Sequence, residues 1–483
     1  MGVGFVICSE NMKLYFHGGA KAVTGVNFLL ATKQAKVLVD CGLFQGPKEL
    51  EARNSQPFAY DAKEIDAVIV THSHLDHVGR LPQLIAAGFG GKIFATPPCV
   101  DFTRLILEDS VKVLAEKAQH ANVVPLFSQE EVDEVMAHFV AVDYYKKTPA
   151  AKGVKFTFHD AGHILGSAIV EIDAKIPPSP KGSGRASIKI VFSGDLGHPP
   201  APLLRPPDYL TSADFVLVES TYGDRNHETP EQAEEMVENV IEDTISRGGI
   251  LMIPSFAMER TQQLLYHIND LIEHKRIPAV PVYIDSPLAT RITEVYKKYP
   301  QYYNKEAISE IDSGDDIFNF PGLRFTVSSK ESKAINDSPS PKVIIAGSGM
   351  SQGGRIVHHE VRYLSDPKNT LLMVGYQAEG TLGRRLADGE KRVEILDQSV
   401  EVNAKIEKIS GYSAHADQFY LMDWVKSFQK PGFDNGSGQP HELKKIFVVQ
   451  GEAAPAEALA SLIRDELGIE TAVPEMGEMA ELQ

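Results

Sequence analysis

The sequence predicts an α/β protein with a β-rich opening and a later α/β segment. Three observations predict it. Short β-type runs broken by tight glycine turns open the chain, helical and β-type runs alternate after Tyr222, and a dense cluster, His72-Ser73-His74-Leu75-Asp76-His77, follows the β-type run at 65–71.

Taken in order, residues 12–16, 27–30 and 36–40 read as an opening β-meander, the last run ending at Cys41-Gly42. After the histidine cluster, 79–87 reads as a helix and 92–95 as a strand. Residues 101–119 and 129–139 have helical spacing, and Ser128 with Glu131 makes a capping box for the second. Residues 155–159 and 168–173 read as paired strands, and a proline- and glycine-rich hairpin loop at 177–184 leads to a strand at 188–192. Beyond Tyr222, helices are expected at 230–247, 259–274, 288–299 and 355–364, with Thr229 capping the first and Pro230 at its first position. Strands at 249–253, 280–285, 342–346 and 370–374 interleave with them, the rhythm of a mostly parallel sheet. Strand character returns at 394–409, followed by a helix at 416–428, a loop at 431–440, a strand at 445–449 and an amphipathic helix at 455–467.

A chain of 483 residues has room for two or three domains. Lys plus Arg is 48 against 65 Asp plus Glu, a net charge of −17, which argues against a broad basic face for duplex nucleic acid. It leaves room for a local positive groove or a metal site that handles phosphates. Three cysteines, Cys8, Cys41 and Cys99, make no disulfide framework and no zinc ribbon, so a reducing compartment is expected. The apolar stretch 4–8 is too short for a signal peptide, and no apolar run reaches membrane-spanning length. The expectation is a cytoplasmic protein with no membrane partner.

Imidazole nitrogen and carboxylate oxygen are ligands that zinc favours. Alternate residues of an extended segment point the same way, so His72 and His74 converge on one ion, leaving Asp76 and His77 for a second. A strand followed by a tight loop would aim all four at one spot. Distant ligands are needed to close the site. His163 in Gly162-His163 and Asp195 in Gly194-Asp195 each stand where a strand meets a glycine turn. Asp195 has two oxygens and suits a bridge between ions about 3.5–4 Å apart.

The order His-x-His-x-Asp-His, then His163, then Asp195 resembles the metallo-β-lactamase superfamily. The resemblance implies an αββα sandwich with two zinc ions at the sheet edges. Leu217-Val218-Glu219-Ser220-Thr221-Tyr222-Gly223 and Gly411-Tyr412-Ser413-Ala414-His415-Ala416-Asp417 are similar to the first two extra motifs of the β-CASP nuclease branch, which carry an acid and a histidine. The α/β segment between them then corresponds to the branch's inserted, substrate-covering domain. The implied organisation is a first metallo-β-lactamase part at 1–222, an inserted β-CASP domain at 223–400 and a C-terminal metallo-β-lactamase part at 401–483. The match looks nearest to RNA-processing members similar to the 73-kDa cleavage and polyadenylation factor subunit and its bacterial relatives. One position departs. The third extra motif is His-Gly-Glu, but here the segment reads Gln450-Gly451-Glu452. An amide oxygen is a poorer zinc ligand than imidazole, so the second ion is expected to bind weakly.

The resemblance implies a zinc-dependent ribonuclease acting on single-stranded RNA as an endonuclease, a 5′-exonuclease or both, through hydroxide generated at the metal. Asp76 would orient or deprotonate the water, His415 would protonate the leaving oxygen, and Glu219 would orient and charge His415. Phosphate grip is expected from the inserted domain. There, Gly347-Ser348-Gly349 runs from a strand toward a helix that begins near Arg355, a pattern that presents backbone N–H groups to anions. Arg384, Arg385, Ser255 and Arg260 are further candidates. Family members often dimerise. Two other readings remain open: an impaired RNA-binding or scaffold subunit, on the strength of Gln450, and a small-molecule metallo-hydrolase of the same fold.

Overall fold

The computed structural model describes residues 12–121, 124–176, 187–375, 377, 380–409, 411, 413–429 and 442–483. The apolar stretch 4–8 with Cys8, the hairpin loop 177–184 and the loop 431–440 lie outside the described residues.

Alternation of inward and outward side chains builds four layers. One seven-stranded sheet runs in the order Met479–Leu482, Met12–Gly18, Asn27–Ala31, Lys36–Val39, Ala67–Ile69, Lys92–Ala95, Phe139–Ala141. A second runs Thr471–Ala472, Lys445–Val449, Phe215–Glu219, Ser187–Phe192, Ala168–Lys175, Val154–Asp160, Thr148–Ala151. Their facing sides share one core, in which Leu14, Phe16, Phe28, Val37 and Val39 meet Phe156, Phe158, Ile172, Phe192 and Phe447. On the outer face of the first sheet, Leu38, Val68 and Val70 pack with Leu81, Leu84 and Val132 of the flanking helices. On the outer face of the second, Val216 and Val218 pack with Trp424 and Leu459. Strands buried on both faces read as continuous apolar runs, and this is why 36–40 and 445–449 were visible as strands. The αββα sandwich is thus present.

Near the histidine cluster and at the sheet edge the structure differs from expectation. The helix expected at 79–87 spans Leu81–Ala86, and an unexpected helical turn, Leu75–Val78, precedes it, so Asp76 and His77 sit on that turn rather than in a loop. The strand Met479–Leu482 was not anticipated, and it pairs antiparallel with Met12–Gly18.

The inserted segment forms a six-stranded sheet in the order Leu323–Phe325, Val282–Asp285, Lys342–Ala346, Ile250–Pro254, Thr370–Met373, Lys405–Lys408, each neighbouring pair parallel. Its sixth strand lies past residue 400. The chain leaves the adjacent strands Ile250–Pro254 and Lys342–Ala346 toward opposite sides of the sheet, the arrangement that opens a ligand crevice at their carboxyl ends. The inserted unit is joined to the sandwich by continuous apolar packing. Phe102, Leu105, Ile164, Leu165 and Leu203 belong to the same cluster as Met258, Tyr296, Tyr303 and Phe318. Among the described residues no helix is long and apolar enough to cross a membrane.

Leu482 is 1% exposed in the inter-sheet core. Leu482→Ala is expected to lower unfolding free energy by about 2–5 kcal/mol, read from the urea midpoint. A shift near zero would mean that this strand does not seal the core.

Candidate metal centre

The strand Ala67–Ile69 delivers the chain to Thr71 and His72, and His74 then caps the turn Leu75–Val78 in extended conformation. Gly42 makes the approach possible, because a Cβ there would lie 1.5 Å from the Asp76 carbonyl oxygen. The His163 loop enters from the second sheet, between Val154–Asp160 and Ala168–Lys175, and Asp195 follows Ser187–Phe192. A Cβ at Gly197 would lie 1.9 Å from the Gly162 carbonyl oxygen, so glycine lets these two loops touch.

Four predicted donors converge. Ligand atoms of His72, His74, His163 and Asp195 all lie within 4.8 Å of one another. His74 Nδ1 is 3.1 Å from His72 Nε2 and 3.2 Å from His163 Nε2, while Asp195 Oδ2 is 3.4 Å and 3.5 Å from the same two Nε2 atoms. A tetrahedral ion with arms of about 2.0–2.2 Å spaces its ligands about 3.3–3.6 Å apart, so the donor set fits a borderline divalent ion. The other oxygen of Asp195, Oδ1, is 3.4 Å from His77 Nε2, and Asp76 Oδ2 is 3.9 Å from that same nitrogen. One carboxylate therefore faces both positions.

Three of the imidazoles are oriented by their other nitrogen. His77 Nδ1 lies 2.8 Å from Asp40 Oδ2, His163 Nδ1 lies 2.9 Å from the Ala414 carbonyl, and His72 Nδ1 lies 3.1 Å from Thr71 Oγ1. Such partners fix the tautomer and aim the free nitrogen at the metal. Asp40, 1% exposed with φ 62°, also accepts from the Thr71 N–H and hydroxyl. Its role escaped sequence reading. The available signal was an acid ending a strand just before Cys41-Gly42. Burial holds His74 and His163 well below the ordinary imidazole pKa, and neighbouring imidazoles add to this, so both are neutral as ligation requires. Burial raises Asp195, but His77 and His72 pull it well below the usual carboxylate range.

Glu219 and His415 form the second predicted group, together with Asp195. His415 Nδ1 is 3.1 Å from Glu219 Oε2 and 3.8 Å from Asp195 Oδ2. Burial disfavours a charged His415, yet Glu219 and Asp195 outweigh it and raise the pKa to about 9. Glu219 is fully buried and also accepts from the Leu196 N–H at 2.7 Å. Gln450 faces Asp195 and His77. It has φ 49°, its amide donates to Asp195 Oδ1, and its Nε2 is 3.4 Å from His77 Nε2.

The expected phosphate contacts are placed differently. Ser255 is buried, its hydroxyl 3.0 Å from Thr261 Oγ1, and Arg260 donates to Gln263. Ser348 Oγ accepts from the Gln352 N–H. Arg355 binds Asp285 at 2.7 Å and the Thr326 and Val327 carbonyls. Arg384 pairs with Asp388 and Arg385 with Glu390 at the surface. None of these joins the metal cluster. Phe256, 44% exposed, lies against Gly349 at the crevice.

Comparison with known proteins places this geometry. The metallo-beta-lactamase superfamily domain matches residues 29–177, the Beta-Casp domain 261–386, and the Zn-dependent metallo-hydrolase RNA specificity domain 399–474. Ribonuclease TTHA0252 of Thermus thermophilus is 38% identical over 452 residues, spanning 94% of this chain and 96% of the relative. Transcription termination factor FttA of Methanosarcina mazei is 33% identical over 468 residues, 94% of this chain and 69% of the relative. The RNase J-like protein of Methanocaldococcus jannaschii is 31% identical over 469 residues, 96% and 98%. A crystal structure of a protein of unknown function from Enterococcus faecalis V583 shares the fold at TM-score 0.54 and 12% identity, covering 98% of this chain and all of that one. Fold and donor set together define a metal-dependent hydrolase of the metallo-β-lactamase superfamily. The chain belongs to the Beta-Casp family, the nuclease branch of that superfamily.

Two outcomes are expected. Asp40→Asn should lower metal affinity about 10–100-fold in chelator competition, with the far-ultraviolet circular dichroism unchanged. In the metal-free protein the Glu219–His415 pair raises a histidine pKa, so its stabilisation is complete below pH 6.5 and lost as pH rises through about 9. The Tm gap between wild type and Glu219→Gln should accordingly be widest at low pH and close by pH 10; a gap independent of pH would contradict this pairing.

Proposed function

We propose that this chain is a zinc-dependent ribonuclease that hydrolyses phosphodiester bonds of single-stranded RNA in the cytoplasm. The observation that carries the reading is the Glu219–His415 pair standing against Asp195, a carboxylate shared with the four-donor cluster. A metal cage alone serves many hydrolases. A protonated imidazole beside it suits a reaction whose leaving group is an oxyanion. The match to an RNA specificity domain and the ribonuclease named among the relatives support the substrate class.

His72, His74, His163 and Asp195 would hold the first ion, and Asp76, His77, Asp195 and Gln450 the second. What zinc supplies when bound is a more acidic attacking water and neutralised phosphate charge. Asp76, 17% exposed at the mouth, orients that water and accepts its proton. As the water oxygen attaches to phosphorus and the P–O ester bond breaks, His415 protonates the leaving oxygen. Its Nδ1 is engaged by Glu219, so Nε2 is the atom that delivers the proton. Gln450 weakens the second position, because its amide must turn its oxygen inward to ligate.

Substrate approaches along the crevice of the inserted unit, residues 223–400 with the added strand Lys405–Lys408. The 1–222 and remaining C-terminal segments complete the sandwich. Ser255, Arg260 and Gly347-Ser348-Gly349 lie at this crevice, and the exposed Phe256 ring offers a face for a base. Arg384 and Arg385 can exchange their exposed carboxylate partners for phosphate at little cost. Arg355 acts by bracing the loop through Asp285.

The test uses zinc-loaded protein and end-labelled single-stranded RNA. Wild type should cut, and His415→Ala should cut about 10²–10⁴-fold more slowly while still binding RNA. Gln450→His should raise tightly held zinc from one ion per chain toward two. Two tight ions in wild type would refute the weak second position. A wild type that binds RNA without cutting, beside a Gln450→His variant that cuts, would make the chain a silenced nuclease serving as a binding subunit.

A further inference from the structure

Two loops carry the imidazoles of the first metal position, and they come from different sheets. A third element, belonging to neither sheet, touches both. Ser73, between His72 and His74, donates its hydroxyl to Met258 Sδ at 3.4 Å. The next residue, Glu259, is 1% exposed and adopts φ 62°, a left-handed backbone that glycine takes freely and longer side chains avoid. Its carboxylate accepts from the Tyr296 hydroxyl and from Gln263 Nε2 at 2.9 Å. Ile164 and Leu165 follow His163 directly and are buried. Leu165, Met258 and Tyr296 share one apolar cluster. Burial raises the Glu259 pKa to about 7, so this carboxyl is strongly dependent on its donors.

A buried glutamate on left-handed backbone is disfavoured twice, by desolvation and by conformation. It touches neither the Glu219–His415 pair nor the metal donors. Its partner Tyr296 packs instead in one apolar cluster with Leu165, in the loop that follows a metal ligand.

We propose that Met258 and Glu259 form a clasp by which the inserted domain positions the His72–His74 and His163 loops, so that affinity for the metal depends on the inserted domain. The clasp rests on the metal reading above and extends it. Met258 fixes the segment between two ligands through Ser73. Glu259 holds Tyr296, whose packing with Leu165 steadies the loop behind the third. The chain seats the insertion against the sandwich here through polar contacts as well as apolar packing, and those contacts end beside the ligand loops. Glu259 is thus a positioning residue: it acts on the metal through the placement of His163.

The experiment is chelator competition with Co²⁺ on the full chain, read by the visible absorbance of the bound ion, alongside the Tm of the metal-free protein. Glu259→Gly relieves the left-handed backbone but removes the carboxylate. It should keep the metal-free Tm within a few degrees of wild type and lower Co²⁺ affinity about tenfold, the scale seen for residues that orient ligands. Glu259→Gln retains an acceptor and should recover affinity to within about threefold of wild type. Tyr296→Phe removes only the backing hydroxyl and should move affinity in the same direction as Glu259→Gly; it serves as the test if that variant does not fold. Unchanged Co²⁺ affinity in these variants, or a fall in metal-free Tm with no change in affinity, would overturn the clasp and leave the metal reading standing. A wild type that binds no Co²⁺ would overturn both.

Discussion

Asp195 is 4% exposed, and its two oxygens face different imidazoles. A buried carboxylate is tolerated only where opposite charge or donors surround it. Here the surrounding groups arrive from every part of the sandwich: His72 and His77 from one sheet edge, His163 from the other, His415 and Gln450 from the C-terminal part. The two facing sheets must therefore be held in close register where these loops leave them. The shared core of Phe16, Phe28, Phe158, Phe192 and Phe447 holds them there. Close packing resists small displacements, and the centre inherits that stiffness.

The inserted sheet adds a different kind of order. Its strands are parallel, and the loops at their carboxyl ends line the crevice where such sheets take ligands. The chain carries a net charge of −17, so attraction for a polyanion has to be local. Most of the arginines considered for that role already have carboxylate partners, Asp285 for Arg355, Asp388 for Arg384 and Glu390 for Arg385. Affinity for a strand would draw on metal and aromatic contacts more than on a basic surface.

The candidate metal donors were legible in the sequence because their signals are local, and the four-layer architecture followed from the family resemblance those motifs carry. Six consecutive residues hold three imidazoles, and Asp195 and Gly194 mark a turn beside a strand. What was hidden depends on partners far along the chain. Asp40 looks like a strand end until Lys36–Val39 pairs beside Ala67–Ile69 and brings Thr71 and His77 onto it. Arg355 looks like an anion ligand at a helix start, and only the fold shows Asp285 waiting for it. The strand Met479–Leu482 carries no turn signal or apolar run strong enough to announce itself. Glu259 reads as an ordinary helix-start acid, since φ is invisible in sequence.

That strand pairing has a temporal side. Met12–Gly18 is flanked by Asn27–Ala31 on one edge and by Met479–Leu482 on the other. During synthesis the first edge is satisfied almost at once, while the second stays open until the sandwich and the whole insertion have emerged. An unpaired edge with an apolar inner face is an invitation to pair with another chain. The nascent protein thus carries a sticky margin for most of its time on the ribosome, and His415 and Gln450 join the centre only late in that interval.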